Sequence, residues 1–326
     1  MKKLIGSLLV IGSTVVTSSA LATQTLQLSH SAAEGNPKWE ASELFAKLVE
    51  EATDGEIKID VGGNSQYGDD MEAISQLRLG TLALSANAQG STSSVVPQFS
   101  VLGLPFLFDS LPTAWRVMDG RVGDELKRLA EENGLVLLAM WDNGIRHVSN
   151  SVRPIENPED LVGLKIRTPP DEVTVDIFEA LGANATPMNF SELYIALQQG
   201  VVDGQENPLM NIYSSKLYEV QSYISMTGHK YESTPLLMSK AVWSTLSPEY
   251  QQAIQEAAVE AGDFNRQASL EADEELKSKM VEAGVEFNQV DQQPFIDATS
   301  SVYDTWHEKY PELVDMVVEE AQDNAQ

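Results

Sequence analysis

The chain has 326 residues, with 21 Lys and Arg against 49 Asp and Glu and a formal net charge of −28. So large an acidic excess excludes a basic, phosphate-tracking surface, and with it nucleic acid as a partner; it also argues against docking on an anionic membrane. Cysteine is absent, which removes disulfides, thiolate metal sites and cysteine catalysis, while 42% hydrophobic residues suffice for a packed core in about two domains.

Met1-Lys2-Lys3 is followed by a mostly apolar stretch from Leu4 to Val16. Ala20-Leu21-Ala22 then offers a small-x-small cleavage pattern. This predicts a secretory signal peptide over 1–22, cleaved after Ala22, and a mature chain exported to the periplasm. No later stretch has the length of uncharged apolar sequence that crosses a bilayer. Leu26–His30 alternates as a strand. Asn36-Pro37 reads as N-cap and first helical position, and Ala41, Leu44, Phe45, Leu48, Val49 and Ala52 repeat at helical spacing up to Gly55. Ile57, Ile59 and Val61 alternate as a second strand. Gly68-Asp69-Asp70 opens a helix that Gly80 ends, and Leu82 and Leu84 begin a third strand. This βαβαβ start implies a parallel sheet.

Pro112 to about Glu132 reads as one helix and Leu135–Met140 as a short buried strand. Trp141-Asp142-Asn143-Gly144 has turn chemistry. Strands follow at Arg146–Ser149 and Leu164–Arg167, then helices at Glu172–Leu181 and Ser191–Gln199. Pro248–Ala283 holds no internal proline and only Gly262, and predicts a long helix; the acidic tail from about Gln292 is also helical. The fold class is therefore α/β, a two-lobed clamshell with crossing strands and a long helix spanning both lobes. Lobe I takes 23–143 plus about 233–272, and lobe II takes 144–232 plus about 273–326.

Catalytic motifs are missing. There is no Gly-x-Ser-x-Gly elbow and no phosphate-binding loop. The histidines His30, His147, His229 and His307 show no metal-ligand spacing, so neither a metal nor a cofactor is expected. With 49 carboxylates, any glycosidase-like pair is uninformative. Polar groups at strand ends say more. Arg167 closes Leu164-Lys165-Ile166-Arg167 ahead of Thr168-Pro169-Pro170, a stiff turn poor in N–H donors. Its planar fork can grip a carboxylate through two parallel bonds, or it can pair with one of the many surface acids. Arg146, after Asn143-Gly144, has the same two readings. Gly204-Gln205-Glu206-Asn207-Pro208 is a polar turn rich in amides.

Four stretches together resemble one family: Gln66-Tyr67-Gly68-Asp69-Asp70, the run from Asp160 through Leu164-Lys165-Ile166-Arg167-Thr168-Pro169, Ala185-Thr186-Pro187-Met188-Asn189-Phe190-Ser191 with Ala196-Leu197-Gln198, and Val202-Asp203-Gly204-Gln205-Glu206-Asn207-Pro208. They resemble the dicarboxylate-type substrate-binding proteins of tripartite ATP-independent periplasmic (TRAP) transporters, over nearly all of the mature chain. The resemblance implies that Arg167 binds a ligand carboxylate, that Arg146 adds a contact, that Asn207 hydrogen-bonds the same end and that Phe190 packs on the ligand. It also implies a monomer that serves a pair of membrane subunits driven by an ion gradient. Members that bind sialic acid carry Glu where this chain has Ala88, and Asn where it has Ser31 or Pro170, which argues against that ligand. Nor does Asn189-Phe190 supply the aromatic cage of ectoine-binding members. The remaining candidate positions, His30, Gln66, Asp70, Glu72, Asn87 and His229, are polar and suit a hydroxylated ligand. A C4-dicarboxylate would want a second cationic grip. The expected ligand is thus a small organic acid, with a hexuronate such as glucuronate or galacturonate first. A C4-dicarboxylate, an exported uronate lyase or hydrolase, and a sensory binding protein are the alternatives.

Overall fold

The computed structural model describes residues 23–322, so the expected signal peptide lies outside the described residues. In chain order the strands are β1 (Gln24–Ser29), β2 (Ile57–Gly62), β3 (Leu84–Ala86), β4 (Leu135–Asn150), β5 (Lys165–Thr168), β6 (Asn184–Pro187), β7 (Gly204–Asn207), β8 (Tyr223–Ser239) and β9 (Glu286–Gln289). The helices are α1 (Pro37–Ala52), α2 (Asp70–Leu79), α3 (Gln89–Thr92), α4 (Leu111–Met118), α5 (Arg121–Glu132), α6 (Glu172–Ala180), α7 (Phe190–Gln198), α8 (Leu209–Ser214), α9 (Lys240–Trp243), α10 (Pro248–Glu282), α11 (Gln293–Lys309) and α12 (Pro311–Gln322).

Local chemistry starts and stops the first elements as the residue types require. Asn36 accepts from the Lys38 backbone N–H and begins α1. Asp69 and Glu72 form a reciprocal capping box at α2, and Gly80 ends that helix in the left-handed conformation, φ +73°. Strand β1 lies between β2 and β3, parallel to both, which is the expected βαβαβ unit. The sheet order is β2-β1-β3-β8-β4-β7-β5-β6, with β9 added to one end of β8. Strands β4 and β8 pair antiparallel from Leu135 opposite Ser239 to Asn150 opposite Tyr223. At about 3.3 Å per residue each is about 50 Å long, enough to belong to both halves of the molecule. At one end β3 joins β8; at the other β7 joins β4 and leads on to β5 and β6. These two strands are the crossing strands of a two-lobed α/β protein.

Helix α10 runs unbroken for 35 residues, about 50 Å. It packs on α1 and β4 near its start and on α8 further along, so it spans both halves. The Trp141 indole donates to the Ala258 carbonyl at 2.9 Å, pinning the helix to β4. Chain 293–322 visits both sides. Trp306 of α11 donates to Asp176 of α6, whereas Glu320 of α12 receives Arg121 of α5.

Two expectations are corrected. Residues 141–144 are not a turn between strands: they lie within β4, which crosses them with a bulge between Asp142 and Gly144. Their turn-forming side chains are engaged elsewhere. Asp142 accepts from Trp115 (2.8 Å) and Tyr231 (2.9 Å), and Gly144 supplies the φ of +113° that the bulge needs. The predicted Pro112–Glu132 helix is two helices, broken at Asp119-Gly120. Asp119 is still helical, and the chain leaves the helical path at Gly120, φ −100° and ψ −154°; the Asp119 carboxylate receives both ends of the Arg266 fork, at 2.6 and 2.8 Å.

Two histidines are buried as neutral rings. His147 Nδ1 accepts from the Gly228 N–H at 3.0 Å, so that nitrogen carries no proton. His30 lies edge-on to Trp39, with centroids 5.3 Å apart. Burial, aided by nearby positive charge, lowers both to about 3. Between that value and the ordinary 6.5 the unfolded chain binds more protons than the folded one, so stability is full above about pH 6.5 and is lost as pH falls. We predict that the two together cost about 2–3 kcal/mol of unfolding free energy between pH 7 and 5.5. Urea titrations at both pH values measure this; a flat profile would mean that the folded rings already bind protons.

Candidate functional site

A cleft opens where the two halves meet over β4 and β8. Arg167 enters it from β5. It is 2% exposed, and its Nε and Nη2 both donate to the Met188 carbonyl, at 2.9 and 2.6 Å. The Phe190 ring lies 5.8 Å from its guanidinium carbon. No carboxylate among the described residues lies within ion-pair distance of Arg167, although Asp70, Glu206 and Glu232 act on it from further away. Burial, with repulsion from Arg146, outweighs their pull and lowers it to about 10. It remains charged at neutral pH, desolvated and without a close counter-ion.

Arg146, on β4, also lines the cleft, but its charge is matched. Nε and Nη2 grip the two carboxylate oxygens of Glu206, and Nη1 meets Glu232. Burial alone would lower the Arg146 value; the two carboxylates reverse that and raise it. In turn, Arg146 and the neighbouring His229 hold Glu206 well below the carboxylate range against the cost of burial. The two arginines thus differ in kind: one is neutralised in place, the other faces an anion-sized need.

Around them runs a chain of carboxamides. Asn36 donates to Asn211 (2.9 Å), which donates to Asn143 (3.1 Å) and Asn207 (3.2 Å); Asn207 donates to Gln205. Asn36 begins α1 and Asn211 sits on α8, so this chain also ties the halves together. Asn189 does the same at the rim. Its amide donates at 2.8 Å to Asp69 Oδ2, while Asp69 Oδ1 caps α2. Asp70, the next residue, faces the cleft near Ser91 (3.4 Å). Burial raises its carboxyl above the ordinary value, opposed by Lys38, Ser31 and Arg167.

Of the sequence-predicted positions, Arg167, Arg146, Asn207, Phe190 and Asp70 come together here. The other five do not line the cleft. Gln66 and Glu72 face solvent, the latter because its carboxylate accepts from the Asp69 N–H in the capping box. Asn87 is buried on Ser85 Oγ at 2.9 Å. His30 is packed behind the site on Trp39, and His229 lies between Thr227 Oγ1 (2.8 Å) and Glu206 (3.3 Å). Sequence reasoning missed Lys38, Asn143, Asn189, Asn211 and Glu232, which all line the cleft. Lys38 adds a cation that was not among the polar positions expected beside the arginines. One signal was available: a lysine in the first turn of a helix sits at the wrong end of the dipole.

Two α/β halves, two shared strands and a polar cleft between them define a periplasmic-type binding protein. The profile of the bacterial extracellular solute-binding proteins, family 7, matches residues 28–309, and the chain belongs to this family, the TRAP solute-binding proteins. The chain is 35% identical to the 2,3-diketo-L-gulonate-binding periplasmic protein of Escherichia coli, over 95% of each. It spans about half the length (53%) of a 49% identical uncharacterised protein of Sinorhizobium fredii that covers 88% of this chain. Among solved structures it resembles a sugar-acid-binding protein of Advenella mimigardefordensis in complex with galactonate, at TM-score 0.90 and 32% identity, covering 93% of this chain and 99% of that one. It also resembles a TRAP solute-binding protein of Sulfitobacter with bound β-D-galacturonate, at TM-score 0.87 and 35% identity, covering 90% and 98%. A relative from Sulfurospirillum deleyianum with bound succinate is equally similar in fold, at 0.87 and 32%, covering 91% and 98%.

Proposed function

We propose that this protein captures a hydroxylated monocarboxylate, with a hexuronate such as galacturonate or glucuronate first, and delivers it in the periplasm to the membrane subunits of a TRAP transporter. One observation carries the reading: Arg167 is a buried, charged fork without an ion pair, at a cleft that also holds amides, hydroxyls and the charged groups Lys38, Arg146, Asp70 and Glu232. A ligand carboxylate there completes a buried pair that is unfavourable while half made. Asn207 and Phe190 then hold and cover that end. The galactonate and galacturonate complexes of the similar proteins support the ligand class.

Capture works by closure. The lobes, 23–143 plus about 233–272 with α12, and 144–232 plus about 273–309, rotate about β4 and β8. A ligand touching Asp70 on one side and Arg167 on the other binds the closed form better, and only that difference moves the equilibrium. The Asn189–Asp69 and Asn36–Asn211 bonds join the same closed form. The protein acts as a monomer that turns nothing over.

A melting screen tests the ligand class. At about a hundredfold excess over its dissociation constant a ligand adds about 2.7 kcal/mol to the folded state. Galacturonate, glucuronate or galactonate should raise the melting temperature by several degrees, and galactose and succinate should leave it unchanged. A shift with dicarboxylates alone sinks the sugar-acid reading.

A further inference from the structure

We propose that Lys38 is the specificity residue for the end of the ligand remote from Arg167, where it and Asp70 together read hydroxyl groups and turn away a second carboxylate. The inference rests on the sugar-acid reading above and names the subsite that would enforce it.

Lys38 is out of place by every structural criterion. Its side chain is 4% exposed. Its Nζ makes no hydrogen bond and no ion pair among the described residues, whereas the other fully buried lysine, Lys230, reaches Asp171 at 2.7 Å. It stands two residues after the N-cap of α1, where the helix dipole already places positive charge. Burial, isolation and the dipole all disfavour an ammonium here. A group held against three local preferences, and aimed into a cleft, points to function rather than to folding.

The surrounding charges choose the occupant. Lys38, Arg146 and Arg167 are balanced by Asp70, Glu206 and Glu232, so the cleft is neutral before a ligand enters and already negative by one charge once Arg167 holds a carboxylate. Asp70 and Glu232 act directly on Lys38 while lying beyond ion-pair contact, apart from any second anion. A second carboxylate at Lys38 would sit in their field. A hydroxyl fits better: it accepts from the ammonium and donates to a carboxylate at once. Vicinal hydroxyls of a sugar acid present that pattern; succinate does not.

The test is calorimetric titration of galacturonate and succinate into the full mature chain and into Lys38→Met and Lys38→Gln. Wild type should prefer galacturonate, and Lys38→Met should bind it about 10- to 150-fold more weakly, the range for a hydrogen bond to a charged group. The ligand-free Lys38→Met should melt no lower than wild type, because it loses an unpaired buried charge. A structural lysine would show the reverse. Lys38→Gln keeps one donor and should recover part of the affinity, and it serves if the methionine variant does not fold. Galacturonate affinity within twofold of wild type in both variants overturns the role of Lys38 and leaves the proposed function standing. Wild-type preference for succinate overturns the sugar-acid reading itself.

Discussion

Arg167→Lys is expected to weaken binding of the acid by about 2–4 kcal/mol, although the charge is retained. The native guanidinium spends one edge, Nε and Nη2, on the Met188 carbonyl. That bond fixes the plane of the fork and leaves Nη1 for the ligand. An ammonium cannot hold the carbonyl and present a fixed donor edge in the same way, and it loses the 5.8 Å contact with Phe190. The fold should not suffer in proportion, because Arg167 has no ion pair to break. Calorimetry on the variant measures the loss, and its melting temperature without ligand serves as control. Affinity within about twofold of wild type would mean that the carboxylate is held elsewhere.

Arg146→Met should act on the fold instead, lowering unfolding free energy by about 3–5 kcal/mol at pH 7. Removing this arginine strips Glu206 of three hydrogen bonds, two at its carboxylate and one at its backbone carbonyl, and Glu232 of one; the buried Glu206 carboxylate loses its cation, while Glu232 keeps Lys230 at 3.9 Å. The pH dependence gives a second signature. In the wild type Glu206 is held below its unfolded value, so its contribution is full above about pH 4.5 and is lost as pH falls through the folded value. The variant has already lost that contribution. The gap between the two proteins should therefore shrink between pH 7 and 4, as the stranded Glu206 carboxylate takes up a proton. Urea unfolding at both pH values tests this. A loss below about 1 kcal/mol at pH 7 would show that Arg146 is not what neutralises these acids.

What the sequence determined by itself was local. Asn36-Pro37, Asp69 with Glu72, Gly80 and the proline-free run after Pro248 start and stop helices through contacts within a few residues. The boundaries of α1, α2 and α10 were therefore legible. Family motifs brought out Arg167, Asn207, Phe190 and Asp70, because side chains at strand ends and helix starts are close to their neighbours in sequence as well as in space. Tertiary structure decided the rest. Asp142-Asn143-Gly144 has the chemistry of a turn and would make one in isolation. In the chain it is drawn into β4 by a ladder with β8, some 90 residues away, and by Trp115 and Tyr231. Arg146 looks like Arg167 on paper. Only the fold brings Glu206 and Glu232 to one arginine and leaves the other without a partner. Lys38 could pass for an ordinary surface lysine until α1 is packed against the second lobe. Electrostatic roles depend on which charges share a desolvated space, and that is set by contacts between residues far apart in the chain, which no local pattern records.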